Sequence, residues 1–230
     1  MDFEYYYNNV PGIGQCRNNL IYTSLISKDK KTFVMWYHND TEYHKGMNQV
    51  VDPDKMDAKW EREVKFTKMM HESFPMHIPL VLDIDYTEKK IYFQIDGPDF
   101  WEQSGCIQEN YENVLPNWKD QMLEIIQAHK FLGLYKFSMH PSSYFVIDGK
   151  LKSINYFFTY HKDEPEVTLE EHKSHISLER QSKMEDIMKK FNMNWSDKLP
   201  FHQLQKLCFE SFRSNYPSEF IDSALNIYAK

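Results

Sequence analysis

The stretch Val146-Ile147-Asp148-Gly149-Lys150-Leu151 constrains this chain more than any other. Two apolar, β-prone runs flank an Asp-Gly pair, a pair that adopts positive φ at low cost and so joins two strands through a two-residue turn. The spacing predicts a tight hairpin centred on Asp148 and Gly149. Before it lies an irregular stretch, His140-Pro141-Ser142-Ser143, and after it comes Ser153-Ile154-Asn155-Tyr156-Phe157-Phe158. Upstream, residues 116–132 read as a helix. Pro116 suits a first helical position, Trp118, Met122, Ile125, Ile126 and His129 fall near one face, and Gly133 suits the left-handed position past the end.

The remaining elements follow from periodicity. Residues 19–26 and 31–37 read as strands. Residues 56–73 read as an amphipathic helix with Trp60, Val64, Met69 and Met70 at helical spacing and Asp54 as its N-cap. Residues 78–95 read as two strands around Tyr86-Thr87-Glu88-Lys89-Lys90, and Asp96-Gly97-Pro98-Asp99 is the strongest break in the chain. Residues 161–230 read as helical. Thr168-Leu169-Glu170-Glu171 has the form of a capping box ahead of a long polar helix that buries Leu178, Met184, Ile187, Met188 and Phe191. Leu204, Leu207, Cys208 and Phe212 mark a second helix, and Pro217 opens a third with Phe220, Ile221, Leu225 and Tyr228.

This order of elements resembles the protein kinase fold. In that family the loop before the hairpin carries His-Arg-Asp and an Asn, and the strand after it leads into Asp-Phe-Gly. Counted from the hairpin, the catalytic-base Asp falls on Ser138, the Lys that follows it on His140, and the metal-holding Asn on Ser143. The Asp of Asp-Phe-Gly falls on Asn155, with Tyr156 and Phe157 after it. The strand Lys that holds nucleotide phosphates falls on Trp36, and its helix Glu partner on Glu63. Gly12 and Gly14 are either the remnant of a phosphate loop, whose third Gly would be Arg17, or a plain turn. The resemblance implies an α+β, bilobal kinase-like fold, with a strand-rich N-lobe over 1–97 and a short helical C-lobe over 98–230. It also implies lost chemistry. Phosphoryl transfer relies on positioning and on Mg²⁺ held by carboxylates, whereas Ser138, Ser143 and Asn155 offer neutral oxygens only. An indole at Trp36 fills a nucleotide cleft rather than pairing with a phosphate. Glu63 is then either a stranded partner or a solvated helix-face glutamate.

Composition narrows the remaining classes. A 230-residue chain that is 41% hydrophobic can bury a sizeable core. Seven Gly argue against an elaborate glycine-rich nucleotide loop, and a net charge of −7 argues against nucleic acid as a partner. Cys16, Cys106 and Cys208 are odd in number and far apart, which fits free thiols and a cytoplasmic setting. No apolar run approaches the roughly 20 residues of a membrane helix. His172 and His175 have metal-ligand spacing but no third ligand, so no metal is expected. Asp83 and Asp85 read as the end of a solvent-facing hairpin. Ser138, His140 and Ser143 lack the elbow of a hydrolase nucleophile. Tyr5-Tyr6-Tyr7 is an aromatic cluster, an edge contact or a partner surface.

Three functions remain open at this point. The first is a catalytically inactive kinase-like protein that binds another protein and needs no cofactor, with at most weak ATP binding. The second is a divergent phosphotransferase with relocated carboxylates, for which Asp96, Asp99 and Asp148 are nearest. The third is an unrelated α+β interaction module. Richness in Lys, Asn, Ile, Tyr and Phe is what an AT-rich genome gives, a virus or phage among the sources.

Overall fold

The structure is a computed structural model that describes residues 2–6, 22–38, 53–173 and 178–229. It is a mixed α+β protein with an antiparallel sheet. Contacts group the chain into two compact units that are interleaved in sequence. The first is Met1–Gln121 with Pro141–Phe158, and the second is Met122–His140 with Thr159–Lys230. This division differs from a single break near residue 97, because the hairpin and the segment that follows it belong with the sheet.

In the first unit, strands β1 (Phe3–Tyr5), β2 (Thr23–Ser27), β3 (Thr32–Trp36), β4 (Val81–Asp85) and β5 (Lys90–Gln94) form one sheet in the order β1-β2-β3-β5-β4. The β2–β3 turn is held by Ser27, whose Oγ accepts from the N–H of Thr32 at 2.9 Å and of Lys31 at 3.2 Å. Helix α1 (Pro53–Ser73) buries Met56, Trp60, Glu63, Phe66, Thr67 and Met70 along one stripe. It starts at Pro53, so Asp54 lies in its first turn rather than at its cap. Short helices α2 (Phe100–Gln103) and α3 (Tyr111–Val114) follow the break at Gly97 and Pro98. Tyr111 packs between Phe100 and Trp118, with ring centroids 4.7 Å and 5.0 Å away, the Trp118 contact edge-on. Phe33 of β3 meets Phe145 at 5.2 Å.

The predicted hairpin is present as β7 (Tyr144–Ile147) and β8 (Lys150–Ser153), with Asp148 at φ 51° and Gly149 at φ 69°. Nothing lies within 4 Å of a Cβ built on Gly149, so only its backbone conformation resists substitution. Gly149→Ala is therefore expected to lower the unfolding free energy by about 1 kcal/mol, read by denaturant titration. Gln121 ties the hairpin to the helix start: its Oε1 accepts from Leu151 N–H at 2.8 Å and its Nε2 donates to the Gly149 carbonyl at 3.2 Å.

Helix α4 (Trp118–Phe131) begins two residues later than Pro116 suggests, and it ends at Gly133 with φ 70°, as expected. In the second unit, β6 (Leu134–Lys136) pairs antiparallel with β9 (Thr159–His161). β10 (Val167–Thr168) pairs with β11 (Lys198–Leu199), so Thr168 lies in a strand and not in a capping box. The described residues show α5 (Glu170–Lys173) and α6 (Leu178–Lys190). The Glu170 N–H donates to the Trp195 carbonyl at 2.8 Å. Helices α7 (Phe201–Ser211) and α8 (Ser218–Ala229) complete the unit. Tyr160, Leu169, Met184, Met188, Leu204 and Leu207 lie in its core, while Phe191, expected inside, is 43% exposed. Among the described residues, no helix is long and apolar enough to cross a membrane.

Candidate functional site

Within the first unit two polar clusters are built around residues that the sequence singles out. The first centres on Asn155, which is buried and sits at φ 68°. Asn tolerates that region better than most residues. Its Oδ1 accepts from the Tyr22 hydroxyl at 2.5 Å, and its Nδ2 donates to Ser143 Oγ at 2.7 Å. Ser143 also offers its carbonyl to the Ile154 N–H at 2.9 Å, which pins the segment after β8 to the one before β7. The Tyr22 ring packs on Phe157 at 5.8 Å and on Tyr37 at 5.6 Å. Asn155 is thus held by a phenol and an alcohol inside an aromatic wall.

The second cluster centres on Glu63, whose exposure is 0%. Its Oε2 accepts from the Tyr37 hydroxyl at 3.0 Å and from the Phe157 N–H at 2.8 Å, and its Oε1 accepts from Thr67 Oγ1 at 3.2 Å. A carboxylate taken out of water needs such donors. Glu63 is therefore not a solvated helix-face residue. It ties α1, the end of β3 and the segment after β8 together. Burial, reinforced by the nearby Glu63 charge, pushes the Tyr37 phenol well above its ordinary range. Lys59, one turn before Glu63, lies over the Phe158 ring at 4.1 Å.

Tyr37, rather than Trp36, faces Glu63. Trp36 is half-buried, stacks on His38 at 3.5 Å and lies beneath the Lys90 ammonium at 4.4 Å. The alternation of a strand explains the difference, since neighbouring residues point to opposite faces. Gly12, Gly14 and Arg17 lie outside the described residues, as do Tyr7, Cys16 and His175.

Ser138 and His140 belong to the second unit. There the backbone of 136–139 is gripped carbonyl by carbonyl. The Lys136 carbonyl accepts from Gln205 Nε2 at 2.8 Å, that of Phe137 from Cys208 Sγ at 2.9 Å, and that of Met139 from the Tyr216 hydroxyl at 2.7 Å. The Ser138 carbonyl accepts from the buried Lys136 ammonium. His140 has Asn215 Nδ2 at 3.5 Å from Nε2 and the Phe212 ring at 6.1 Å. The fixed groups here are backbone oxygens, and α7 with the residues after it supplies the grip.

The acidic candidates have structural duties. Asp96 pairs with Lys31 at the surface. Asp99 is buried and caps α2, accepting from the Glu102 N–H at 3.0 Å. Tyr6 joins the same corner, accepting from the Asp99 N–H at 3.0 Å and donating to Glu102 Oε2 at 2.7 Å. Asp148 is exposed at the hairpin tip. Asp85 caps its own turn, accepting from the N–H groups of Thr87 and Glu88, each at 2.9 Å. Asp83 accepts from the Ile84 N–H at 2.8 Å. Among the described residues, no group of three or more His, Cys, Asp or Glu side chains is gathered as a metal site would need. Burial also raises the Cys106 thiol to about 11, so this cysteine is a poor nucleophile near neutral pH.

Sequence reasoning flagged Ser143, Asn155 and Glu63 but missed Tyr22 and Tyr37 as their partners. It also missed Gln205 and Tyr216 as anchors of the loop. No protein-family model matches the chain, and no curated protein is significantly similar to it.

Proposed function

We propose that this chain is a catalytically inactive, kinase-like protein that acts by binding another protein. The observation that carries the reading is the closure of Asn155. Both ends of its amide are bonded to the chain's own Tyr22 and Ser143, in a buried and neutral setting. A residue in the metal-holding position of a phosphotransferase needs charge and an open coordination side. Asn155 has no charge, and its amide oxygen is already engaged by the Tyr22 hydroxyl.

The Glu63 cluster supports the same reading. At the end of β3, the residue that donates to this carboxylate is the Tyr37 phenol, and a phenol cannot neutralise phosphate charge. The order of elements from β2 to β8 supports the kinase-like comparison: a sheet, a long helix inserted after its third strand, and a tight hairpin preceding Asn155.

The test is thermal unfolding of the purified chain with ATP, with and without Mg²⁺ or Mn²⁺. A ligand that binds only the folded state raises the midpoint by mass action. The expected result is no shift at about millimolar nucleotide, with or without metal. A shift that requires the metal would sink the inactive reading and favour a phosphotransferase whose carboxylates lie elsewhere.

A further inference from the structure

We propose that β1 takes up an extended segment of a partner protein as a further strand, with a lysine or arginine of that segment opposite Glu4. β1 lies at one edge of the sheet and pairs with β2 alone. The Tyr6 N–H donates to the Ser24 carbonyl at 3.0 Å, and the Lys28 N–H to the Asp2 carbonyl at 3.4 Å. Both are directly opposed pairs in the β1–β2 register. Bonded and non-bonded pairs alternate along an antiparallel ladder. Asp2, Glu4 and Tyr6 therefore turn their backbone toward β2, while Phe3 and Tyr5 turn theirs outward. Among the described residues, none bonds these outward N–H and C=O groups. The opposite edge differs: the outward N–H of Ile84 in β4 already donates to Asp83 Oδ1 at 2.8 Å.

A cavity of about 160 Å³ lies against this open edge, lined among others by Glu4, Ile26, Lys30, Pro98 and Glu102. An engineered cavity of about 150 Å³ holds a benzene ring, so a guanidinium or alkylammonium head has room here. The wall is fixed, because the Tyr6 hydroxyl joins the Asp99 N–H to Glu102 Oε2. Glu4 is exposed, and among the described residues none forms an ion pair with it. A residue opposite Glu4 in an added antiparallel strand sits in a non-hydrogen-bonded pair, where side chains lie closest. Its side chain leaves on the same face as Glu4 and so heads for the cavity. Its two neighbours face Phe3 and Tyr5, which suits apolar β-branched residues. The segment so defined alternates apolar, basic, apolar.

Charge selects a partner over a second copy. A two-fold pairing of β1 centred on Glu4 sets two glutamates against each other, and one centred on Phe3 sets Glu4 against Asp2. Like charges directly opposite destabilise a strand pair. A basic segment meets attraction at the same position.

The proposal gives the protein-binding reading its partner chemistry and rests on it, but the tests are separate: peptide binding can fail while ATP still gives no shift. The experiment titrates a blocked peptide, Thr-Val-Arg-Val-Thr, into the isotopically labelled full chain to about 1 mM, followed by amide NMR, which detects weak complexes. The expected result is saturable movement of the Phe3 and Tyr5 amides. The matching Thr-Val-Glu-Val-Thr peptide should bind at least about tenfold more weakly, and Glu4→Lys should invert that order. Tyr5→Pro should abolish binding, since it removes an outward donor that β2 does not use, a position where an edge strand tolerates proline. Both variants should keep the wild-type unfolding midpoint. Absence of movement at Phe3 and Tyr5 overturns the proposal, as does equal affinity for the two peptides. Free arginine binding as tightly as the peptide also overturns it, since the cavity would then take a small cation without a strand. So does a wild-type dimer that Tyr5→Pro dissociates, because a second copy would hold the edge.

Discussion

Glu63→Ala is expected to remove about 3–5 kcal/mol from the unfolding free energy, the largest effect of any single polar substitution in the first unit. The side chain accepts hydrogen bonds from the Tyr37 hydroxyl, the Phe157 N–H and the Thr67 hydroxyl in a site without solvent. Truncation leaves the Tyr37 hydroxyl, the Thr67 hydroxyl and the Phe157 N–H without this acceptor, and each stranded donor costs far more than a bond that was never needed. At the usual heat of unfolding, a chain of this length should lose roughly 10 °C of midpoint.

Two further variants separate charge from acceptor count. Glu63→Gln keeps the size but has one acceptor oxygen for donors arriving from three sides, so its amide nitrogen must face at least one of them. Tyr37→Phe removes one donor and leaves the Phe157 N–H and the Thr67 hydroxyl in place. The expected order of loss is Glu63→Ala, then Glu63→Gln, then Tyr37→Phe at about 1–2 kcal/mol. Denaturant titration of the three gives the order directly. If Glu63→Ala unfolds within about 1 kcal/mol of the wild type, where ordinary surface substitutions fall, the three-way bond is not a mainstay of this unit.

The contrast between Glu63 and the Asp148-Gly149 hairpin shows what sequence could reveal. The hairpin is decided within six residues, by turn chemistry that works the same way in any chain. Gly133 is equally local, since a helix end needs one residue at positive φ. The stripe along α1 is visible because burial repeats every three to four residues, and it placed Glu63 beside Trp60 and Val64. It could not say that a carboxylate belonged inside, because that depends on donors from other segments. Trp36 was set against Glu63 by strand register, yet Tyr37 follows the last residue of β3, and a one-residue step reverses the face. Tyr22 and Asn155 are 133 positions apart, and no periodicity links them. The carbonyl grip on 136–139 is hidden for the same reason: Gln205 and Tyr216 read as ordinary helix and turn residues until the fold brings them to the loop. The interleaved division of the chain was likewise out of reach, since residues 141–158 join the sheet unit through contacts distant in sequence.

Alkaline pH is expected to unfold the protein through its buried tyrosines. Burial is the leading cause that raises the phenols of Tyr37, Tyr111, Tyr156 and Tyr228 above the ordinary value. For Tyr37 the Glu63 charge adds to it, and for Tyr228 the neighbouring Tyr135 does. The direction of the pH effect follows from proton counts. Below about pH 10 these phenols are protonated in both states and stability does not depend on them. Above it, the unfolded chain releases its phenolic protons while the folded chain keeps them. The folded state then holds the greater number of protons, so stability falls as pH rises, by about 1.4 kcal/mol per pH unit for each such tyrosine. The loss continues until the folded-state values are reached. The expected record is a phenolate absorbance that rises in a cooperative step coinciding with loss of the folded circular-dichroism signal. Tyr228→Phe should reduce the steepness of that loss, because phenylalanine has no proton to release. Smooth titration of every tyrosine near its ordinary value, with the fold intact, would mean that water reaches these rings and that neither core is closed as described.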